Sequence, residues 1–220
     1  MMPEQHEDVW SRLVTVNGYR ADELLSVLQK SIRRGLVEEA SLAAYELYLT
    51  GIEVEAKVWQ RLAVIAVEDV GLGLPNAPML LAALNTQREA FARGVDRFMF
   101  TAHAIRLLAG APKDRASMEL AVWTKETVAR GDRCTEVLDF HVDQHTRRGV
   151  AMGRGTEFWW GAGGYGLDNE LNPEGSPWTD YVREVLGAHP GADVPKPDFS
   201  RPAPPESGVD GILESIIDRH

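Results

Sequence analysis

The chain has 220 residues, a formal net charge of −10 and 44% hydrophobic residues. This length fits one globular domain, or one domain with a tail, and the apolar fraction is sufficient for a core. The acidic balance argues against a surface that binds phosphate everywhere, because counterion release from nucleic acid needs a positive face. Cys134 is the single cysteine, which excludes an intramolecular disulfide and a cluster of thiolate metal ligands.

The sequence lacks the usual marks of membrane insertion or secretion. No stretch approaches about 18 uninterrupted apolar residues, and the first ten residues carry three acids without an apolar run. These features are not those of a membrane span or a signal peptide. We therefore expect a cytoplasmic protein that makes no contact with membranes.

Glycines divide the first 150 residues into segments with helical apolar spacing. In residues 21–35, leucine and isoleucine recur on one helical face, and the basic residues Lys30, Arg33 and Arg34 come directly before Gly35. The other helical segments cover residues 37–51, 54–71, 76–94, 95–110 and 113–131. Because no alternating strand pattern of useful length precedes residue 150, the sequence predicts an all-α bundle of about six antiparallel helices.

The composition changes after residue 150. The sequence predicts a helical domain over residues 1–150 and a C-terminal extension over residues 151–220. The extension begins as an irregular segment rich in glycine and tryptophan, followed by a short amphipathic helix at 178–187 and a proline-rich linker at 188–208. It ends in a terminal amphipathic helix at 209–220, which is too short to be stable alone in water and therefore needs a docking surface.

The stretch FWWGAGGYG contains the spacing G-x-G-x-x-G at Gly161, Gly163 and Gly166. This spacing holds nucleotide phosphates where it joins a strand to a helix within a parallel sheet. Here the turn-rich stretch LDNELNPEG follows, and no second strand is apparent. We therefore interpret the glycines as positions that let the chain fold tightly beside its aromatic residues, and we expect no cofactor.

Three stretches carry a resemblance to a known family. They are QKSIRRGLVEEASLAAYEL, RLAVIAVEDVGLGLPNAPMLLAA and LLAGAPKDRASMELA. In this order and spacing they resemble the C-terminal helical domain of the MgsA/RarA family, which are AAA+ ATPases related to clamp loaders and to the Werner-helicase-interacting protein. The resemblance covers roughly residues 21–130.

The resemblance implies a collar-type domain that forms oligomers, often tetramers, in replication-fork maintenance and recombination. The family's P-loop, Walker B and sensor residues have no counterpart in this sequence, so ATP hydrolysis is not implied. We expect a non-enzymatic homo-oligomer that acts in DNA replication or repair, beside an AAA+ ATPase or another replication protein. Apolar helix faces around Trp59, Trp123, Phe98 and Phe100 are candidates for the subunit interfaces.

An acidic pair and a turn form a candidate structural motif. Glu68 and Asp69 lie at a predicted helix end, where the helix dipole disfavours acids. An arginine or the backbone N–H groups of the turn around Gly71 are expected to compensate them. Lys113, which follows Pro112 at a predicted helix start, is a further candidate partner. Adjacent residues on a helix do not share a face, so the pair is not predicted to bind a metal.

A basic island stands out in this acidic sequence. Arg147, Arg148 and Arg154 occur in a stretch without acids, close to Trp159 and Trp160. Arginines beside aromatic side chains can bind phosphate and stack bases, as in proteins that bind single-stranded nucleic acid. The alternative is that these arginines pair with the acidic tail of the chain or with a neighbouring subunit.

Lys30, Arg33 and Arg34 are a second set of candidates for phosphate or partner contact. Their alternative role is to complement the dipole at the end of their own helix. His141 and His145 have the i, i+4 spacing by which two imidazoles hold a metal from one helix face. No third ligand is evident in the sequence, so no metal is predicted and the two histidines are kept only as candidates.

Two alternatives to the scaffold therefore remain. One is a small metal-dependent enzyme that uses His141 and His145. The other is an adaptor that docks on a separate AAA+ ATPase through its terminal helix at 209–220.

Overall fold

The computed structural model describes residues 9–164 and 167–186. Within these residues the regular elements are helical, and the extended structure is limited to one isolated bridge between Val14 and Arg20. The predicted all-α class is therefore confirmed. The α-helices are α1 (Ala21–Arg33), α2 (Val37–Thr50), α3 (Ile52–Ile65), α4 (Ala77–Arg88), α5 (Val95–Gly110), α6 (Ala116–Arg130), α7 (Arg147–Ala151), α8 (Thr156–Phe158) and α9 (Thr179–Leu186).

The chain divides into two compact units, Met1–Lys125 and Glu126–His220, and the division falls within α6. The domain boundary predicted at residue 150 stays a prediction. The proline-rich linker and the terminal helix predicted over 188–220 lie outside the described residues, as do Tyr165 and Gly166.

Helices α1 to α5 build the first unit around one apolar core. Helix α1 packs on α2, α4 packs on α5, and α2 also contacts α3 and α5. Burial of a large aliphatic side chain contributes about 1.5–3 kcal/mol, so this core is the main source of stability in the unit. The largest fully buried apolar side chains are those of Leu28, Ile32, Leu47, Val58, Leu62, Ile65, Val70, Ile105 and Leu108.

The end of α3 departs from the predicted continuous helix over 54–71. The α-helix ends at Ile65 and continues as one π-helical turn, Ala66–Val70, followed by a short 3-10 turn. A π-helical turn holds an extra residue and so shifts the direction of the side chains that follow. Ala66 and Val70, the first and last residues of this turn, are buried, and Asp69 is buried with them.

Short elements make up the described part of the second unit after α6. Helix α7 begins after Thr146, whose side-chain hydroxyl accepts a hydrogen bond from the Gly149 N–H at 3.0 Å and so caps the helix. Helix α8 continues into a π-helical turn, Trp159–Gly163, where the sequence predicted irregular structure. The predicted short helix at 178–187 is confirmed as α9.

Candidate functional site

Asp69 is the centre of a charged cluster in the first unit. Its side chain is fully buried, and its Oδ1 accepts a hydrogen bond from Arg33 Nε at 2.6 Å. Its Oδ2 accepts hydrogen bonds from Gln29 Nε2 at 2.9 Å and from Arg33 Nη2 at 3.3 Å. The same guanidinium lies 3.4 Å from a carboxylate oxygen of Glu68. Arg33 therefore compensates both acids, and its hydrogen bond to Asp69 raises the pKa of the guanidinium.

The turn after Asp69 is closed by a second segment of the same unit. The Asp69 carbonyl accepts a hydrogen bond from the Asp114 N–H at 3.1 Å, and Asp114 Oδ2 accepts one from the Leu72 N–H at 3.0 Å. Gly71 has φ +51°, and a Cβ there would lie 2.5 Å from the Asp114 carbonyl oxygen. Glycine is therefore required at this position by both conformation and space.

Lys113 makes no direct contact with Glu68 or Asp69, the acids that the sequence suggested as its partners, and the charge of Asp69 acts on its amine only at longer range. Its Nζ donates to the carbonyl oxygens of Ala109 at 3.0 Å and Ala111 at 2.5 Å, at the end of α5. Burial lowers the pKa of this amine. Among the described residues it forms no ion pair with either acid. Pro112 lies in the same segment, and a Cβ on Gly73 would come within 2.3 Å of the Pro112 carbonyl oxygen.

A second buried cluster, which was not predicted from the sequence, surrounds Glu55 on α3. The Glu55 side chain is about 2% exposed, and its Oε1 accepts hydrogen bonds from Arg88 Nη1 at 2.7 Å and Arg97 Nε at 2.8 Å. Arg93 Nη1 lies 3.9 Å from the other carboxylate oxygen. Burial lowers the pKa of Arg88. One carboxylate thus faces three guanidinium groups, which gives the cluster an excess of positive charge.

One signal in the sequence marks Glu55 in retrospect. It lies three, four and seven residues before Val58, Trp59 and Leu62, so it shares their buried helix face. A lone carboxylate on such a face needs cationic partners. Trp59 is only 4% exposed, which corrects its predicted place in a subunit interface. Glu55 Oε2 and Trp59 Nε1 are both buried without a hydrogen-bond partner among the described residues.

The basic residues at the end of α1 have different surroundings. The guanidinium of Arg33 is occupied by Asp69 and Glu68, so it is not available to an external phosphate. Arg34 Nη1 donates to the Lys30 carbonyl at 2.8 Å, which complements the end of the helix. Lys30 and Arg34 are exposed and remain the external cations of this set.

The arginines of the basic island in the second unit also differ in their surroundings. Arg154 donates to the Asp139 and Val142 carbonyl oxygens at 2.8 and 2.5 Å and pairs with the Asp139 carboxylate. Its guanidinium lies 4.0 Å from the centre of the Phe158 ring. Its side chain is 13% exposed. This arginine holds the local fold, so its predicted contact with an external phosphate is incorrect.

Arg147 and Arg148 remain the exposed cations of the island, both on α7. Trp159 and Trp160 are half-buried, with ring centres 4.8 Å apart and an edge-to-face angle of 87°. A Cβ on Gly164 would lie 3.3 Å from Trp159 Cε2, and one on Gly163 would lie 3.5 Å from Trp159 Cδ1. The glycines therefore approach the Trp159 ring closely, with no strand before them.

His141 and His145 do not share a helix face, so the geometric basis of their metal-site candidacy is wrong. A 3-10 turn ends at His141, and a separate turn that contains His145 precedes α7. His141 Nδ1 accepts the Leu138 N–H at 2.9 Å, and His145 Nδ1 lies 2.9 Å from Asp143 Oδ2. In residues 9–164 and 167–186, no group of three or more His, Cys, Asp or Glu side chains is arranged to hold a metal ion.

Comparison with the models of known protein families found no match, and comparison with curated proteins found none either. The resemblance to the MgsA/RarA family therefore stays a prediction. In the part of the chain that the structure describes, every helix is too short or too polar to cross a membrane.

Proposed function

We propose that this chain is a non-enzymatic scaffold whose copies associate through the outer face of α2. The observation that carries the proposal is that α2 is apolar on two sides. Its inner side is buried through Ala40, Ala44 and Leu47. Its outer side presents Leu42 and Leu49 on the surface, which are 71% and 46% exposed. Because the inner side of α2 is already buried by its own unit, burial of the apolar outer side requires a second surface.

The exposed apolar surface continues from α2 onto α5. Tyr45 lies between Leu42 and Leu49 on the same face, and its ring contacts Phe98 edge-to-face at 4.8 Å. The Gly94 N–H donates to the Tyr48 hydroxyl at 2.7 Å, which brings the start of α5 and the exposed Val95 beside the end of α2. We call Leu42, Tyr45 and Leu49 the α2 stripe. A contiguous apolar surface of this kind is typical of an association site.

The surroundings of the buried acids support a non-enzymatic role. Glu55 and Asp69 are the fully buried acids of the described first unit, and each is held by arginines of its own chain. Such arrangements bind helices together and leave the carboxylates no open face. The alternative of a metal-dependent enzyme loses its geometric support, because His141 and His145 lie in separate turns.

The proposed setting in DNA replication or repair, as a tetramer, is supported by the resemblance of residues 21–130 to the MgsA/RarA C-terminal domain. Arg147 and Arg148 supply exposed positive charge for a phosphate backbone. An adaptor that docks on a separate AAA+ ATPase is the second candidate. It depends on residues 209–220, which lie outside the described part of the chain.

Light scattering after size exclusion tests the association. We expect the wild-type chain to be an oligomer and the double variant Leu42→Glu/Leu49→Glu to be a monomer, because two buried charges would face the second copy. Met79→Glu is the matched control, since Met79 is 72% exposed on α4 and its loss should leave the oligomer intact. Far-ultraviolet circular dichroism checks that both variants keep their helices. A monomeric wild-type chain would refute the proposal.

DNA contact is tested separately with a fluorescent single-stranded oligonucleotide. We expect Arg147→Ala/Arg148→Ala to weaken binding at low salt and to reduce the slope of affinity against salt concentration by about two, one for each lost phosphate contact. Lys30→Ala/Arg34→Ala is the comparison variant, because these exposed cations of the first unit are the other candidates for phosphate contact, and a larger loss there would place the contact at the end of α1. Equal loss in both double variants would indicate diffuse attraction, and the island would then have no specific role.

A further inference from the structure

A groove with an apolar floor and a basic rim lies on α4 and α5, within the first unit. Its volume is about 440 Å³, in the range of about 300–1,000 Å³ that is usual for small-molecule sites. The floor consists of half-buried apolar side chains, and the rim consists of exposed ones. The lining residues are Leu84 of α4 and Met99, Phe100, Ala102, His103 and Arg106 of α5.

One face of α5 forms the rim of the groove. Met99, His103 and Arg106 are at i, i+4 and i+7, so they lie along the same side of the helix, and all three are exposed. At a rise of about 1.5 Å per residue, this side extends about 10 Å from Met99 to Arg106. Phe100 supplies a half-buried ring to the floor. The groove therefore combines an elongated apolar floor with a guanidinium at one end.

The two basic residues of the rim have no structural partner among the described residues. Neither His103 nor Arg106 forms a hydrogen bond or an ion pair there. Arg106 comes before the last turn of α5, which holds no basic residue, so complementing the helix dipole is not its role. Helix α4 contains no acid, and the single acid of α5 is Asp96, at the opposite end of the helix from Arg106. In a chain of net charge −10, this part of the surface is thus complementary to an anion.

We propose that the groove binds a monocarboxylic acid with an unbranched apolar chain. The carboxylate pairs with Arg106, because a guanidinium presents its donors in a fork that matches the two carboxylate oxygens. The apolar chain lies along α5 over the Phe100 ring and reaches Met99, whose flexible thioether adapts to irregular apolar shapes. A ligand with a cationic head of the same length would be repelled by Arg106, so the sign of the head group decides which amphiphile binds.

This ligand site goes beyond the scaffold role and is independent of it. The lining residues of the groove belong to α4 and α5, whereas the α2 stripe carries the proposed association. The groove can therefore bind its ligand in a monomer or in an oligomer. Loss of association in the Leu42→Glu/Leu49→Glu variant should leave the affinity for the carboxylate unchanged.

Nuclear magnetic resonance of the methionine methyl groups tests binding in the full-length chain. The probe is decanoate below its critical micelle concentration, and decyltrimethylammonium is the cationic comparison. We expect decanoate to shift the Met99 methyl signal, assigned through Met99→Leu, and to leave that of Met79 unchanged, since Met79 is exposed on α4 and does not line the groove. Decanoate should bind about tenfold more tightly than decyltrimethylammonium, the effect of one charge-assisted hydrogen bond. Equal affinities, or equal shifts of the two methionines, would overturn the proposal.

Two substitutions in the groove separate the role of the charge from that of the apolar floor. Arg106→Gln should weaken decanoate binding about tenfold, whereas Arg34→Gln, which changes an exposed arginine of α1, should leave it unchanged. Ala102→Phe fills the floor and should weaken decanoate and decyltrimethylammonium alike, with the helices checked by circular dichroism. Unchanged decanoate binding in either groove variant would overturn the proposal. So would a dimer, seen by light scattering, that Ala102→Phe dissociates, because a second copy would then occupy the groove.

Discussion

The first unit buries an apolar core and two acids, whereas the described part of the second unit is held by turns, glycines and one arginine. In the first unit, Glu55 of α3 is bound by Arg88 of α4 and Arg97 of α5, so one carboxylate joins three helices. In the second unit, Arg154 binds Asp139 and Val142, which lie at most 15 positions away. The charged contacts of Glu55 therefore span 33 and 42 positions, whereas those of Arg154 span 12 and 15.

This difference predicts how each unit responds to damage. Long-range buried contacts form and break together with the whole core, so their loss should lower the global free energy of unfolding. Local contacts hold only their own segment, so their loss should open that segment and leave the rest unchanged. The first unit should behave as a cooperative body, and the described part of the second as a set of turns with separate stabilities.

The largest expected effect is that of Glu55→Gln. The change removes the negative charge that Arg88 and Arg97 share, so Arg97 loses its counter-charge and Arg88 keeps only the exposed Glu89, 3.7 Å away. We expect the free energy of unfolding to fall by about 3–5 kcal/mol, the usual result of breaking a buried ion pair. Urea unfolding followed by circular dichroism measures it, with a single transition for α1 to α5.

Glu53→Gln is the matched control for this substitution, because Glu53 lies in the first turn of the same helix and is exposed. Its loss should cost no more than about 0.3–1 kcal/mol, through the helix dipole. A loss below about 1 kcal/mol in Glu55→Gln would mean that the buried cluster does not join the helices as a cooperative body.

The next effect is that of Gly149→Ala in the second unit. An added Cβ would lie 1.8 Å from the Asp143 carbonyl oxygen, so the backbone of α7 would have to move. We expect a local cost of about 1–3 kcal/mol, typical of overpacking. Hydrogen exchange should become faster at Val150, Met152 and Arg154, whose N–H groups bond within this turn, and stay unchanged in α1 to α5.

Gly163→Ala is the matched control within the same unit, because its added Cβ would be 3.5 Å from the nearest atom. That distance is an ordinary van der Waals contact, and exchange in α7 should stay as in the wild type. If Gly149→Ala instead destabilised the whole chain, the proposed separation of the two units would be incorrect.

The smallest expected effect is on stability at low pH, to which one carboxylate in each unit contributes. A hydrogen bond from the His145 side chain, followed by one from its N–H, holds the pKa of Asp143 below its usual range. The N–H groups of Ala116 and Leu72 lower the pKa of Asp114. Because both pKa values are depressed in the fold, their stabilisation is present above the usual value of about 3.9 and is lost as pH falls through the folded value.

We therefore expect Asp143→Asn to reduce the acid response of the Trp159 and Trp160 indole N–H signals in nuclear magnetic resonance spectra below about pH 4. Asp114→Asn should leave those signals unchanged and reduce the acid response of the first unit instead. Equal effects of the two variants on both units would contradict the proposal that the two units have independent stabilities.

The helices of the first unit were largely predictable from the sequence, because each needs only the local repeat of apolar residues. Leu25, Leu28 and Ile32 are buried as the period of α1 requires. The π-helical turn after Ile65 was not predictable, since it depends on how Ala66 and Val70 fit against other helices. The i, i+4 spacing of His141 and His145 was misleading, because the spacing has meaning only within a helix.

The charged sites were predictable only in part. The position of Glu68 and Asp69 at a helix end indicated that a compensating group was needed. Arg33 supplies it from 36 residues away, a pairing that local spacing cannot indicate. The cations of the basic island have similar sequence surroundings, yet Arg154 is bound to its own chain and Arg148 is exposed. Tertiary contacts, and not composition, decide this difference.

The cluster of Glu55, Arg88 and Arg97 also has a consequence for evolution. A single change at Glu55 removes the buried counter-charge of two cations, and a change at either arginine weakens the neutralisation of the acid. Well-packed apolar residues at all three positions would be tolerated, because the costs of burying charge are then absent together. We expect homologous chains either to keep all three residues or to replace all three, so that the positions covary as one group.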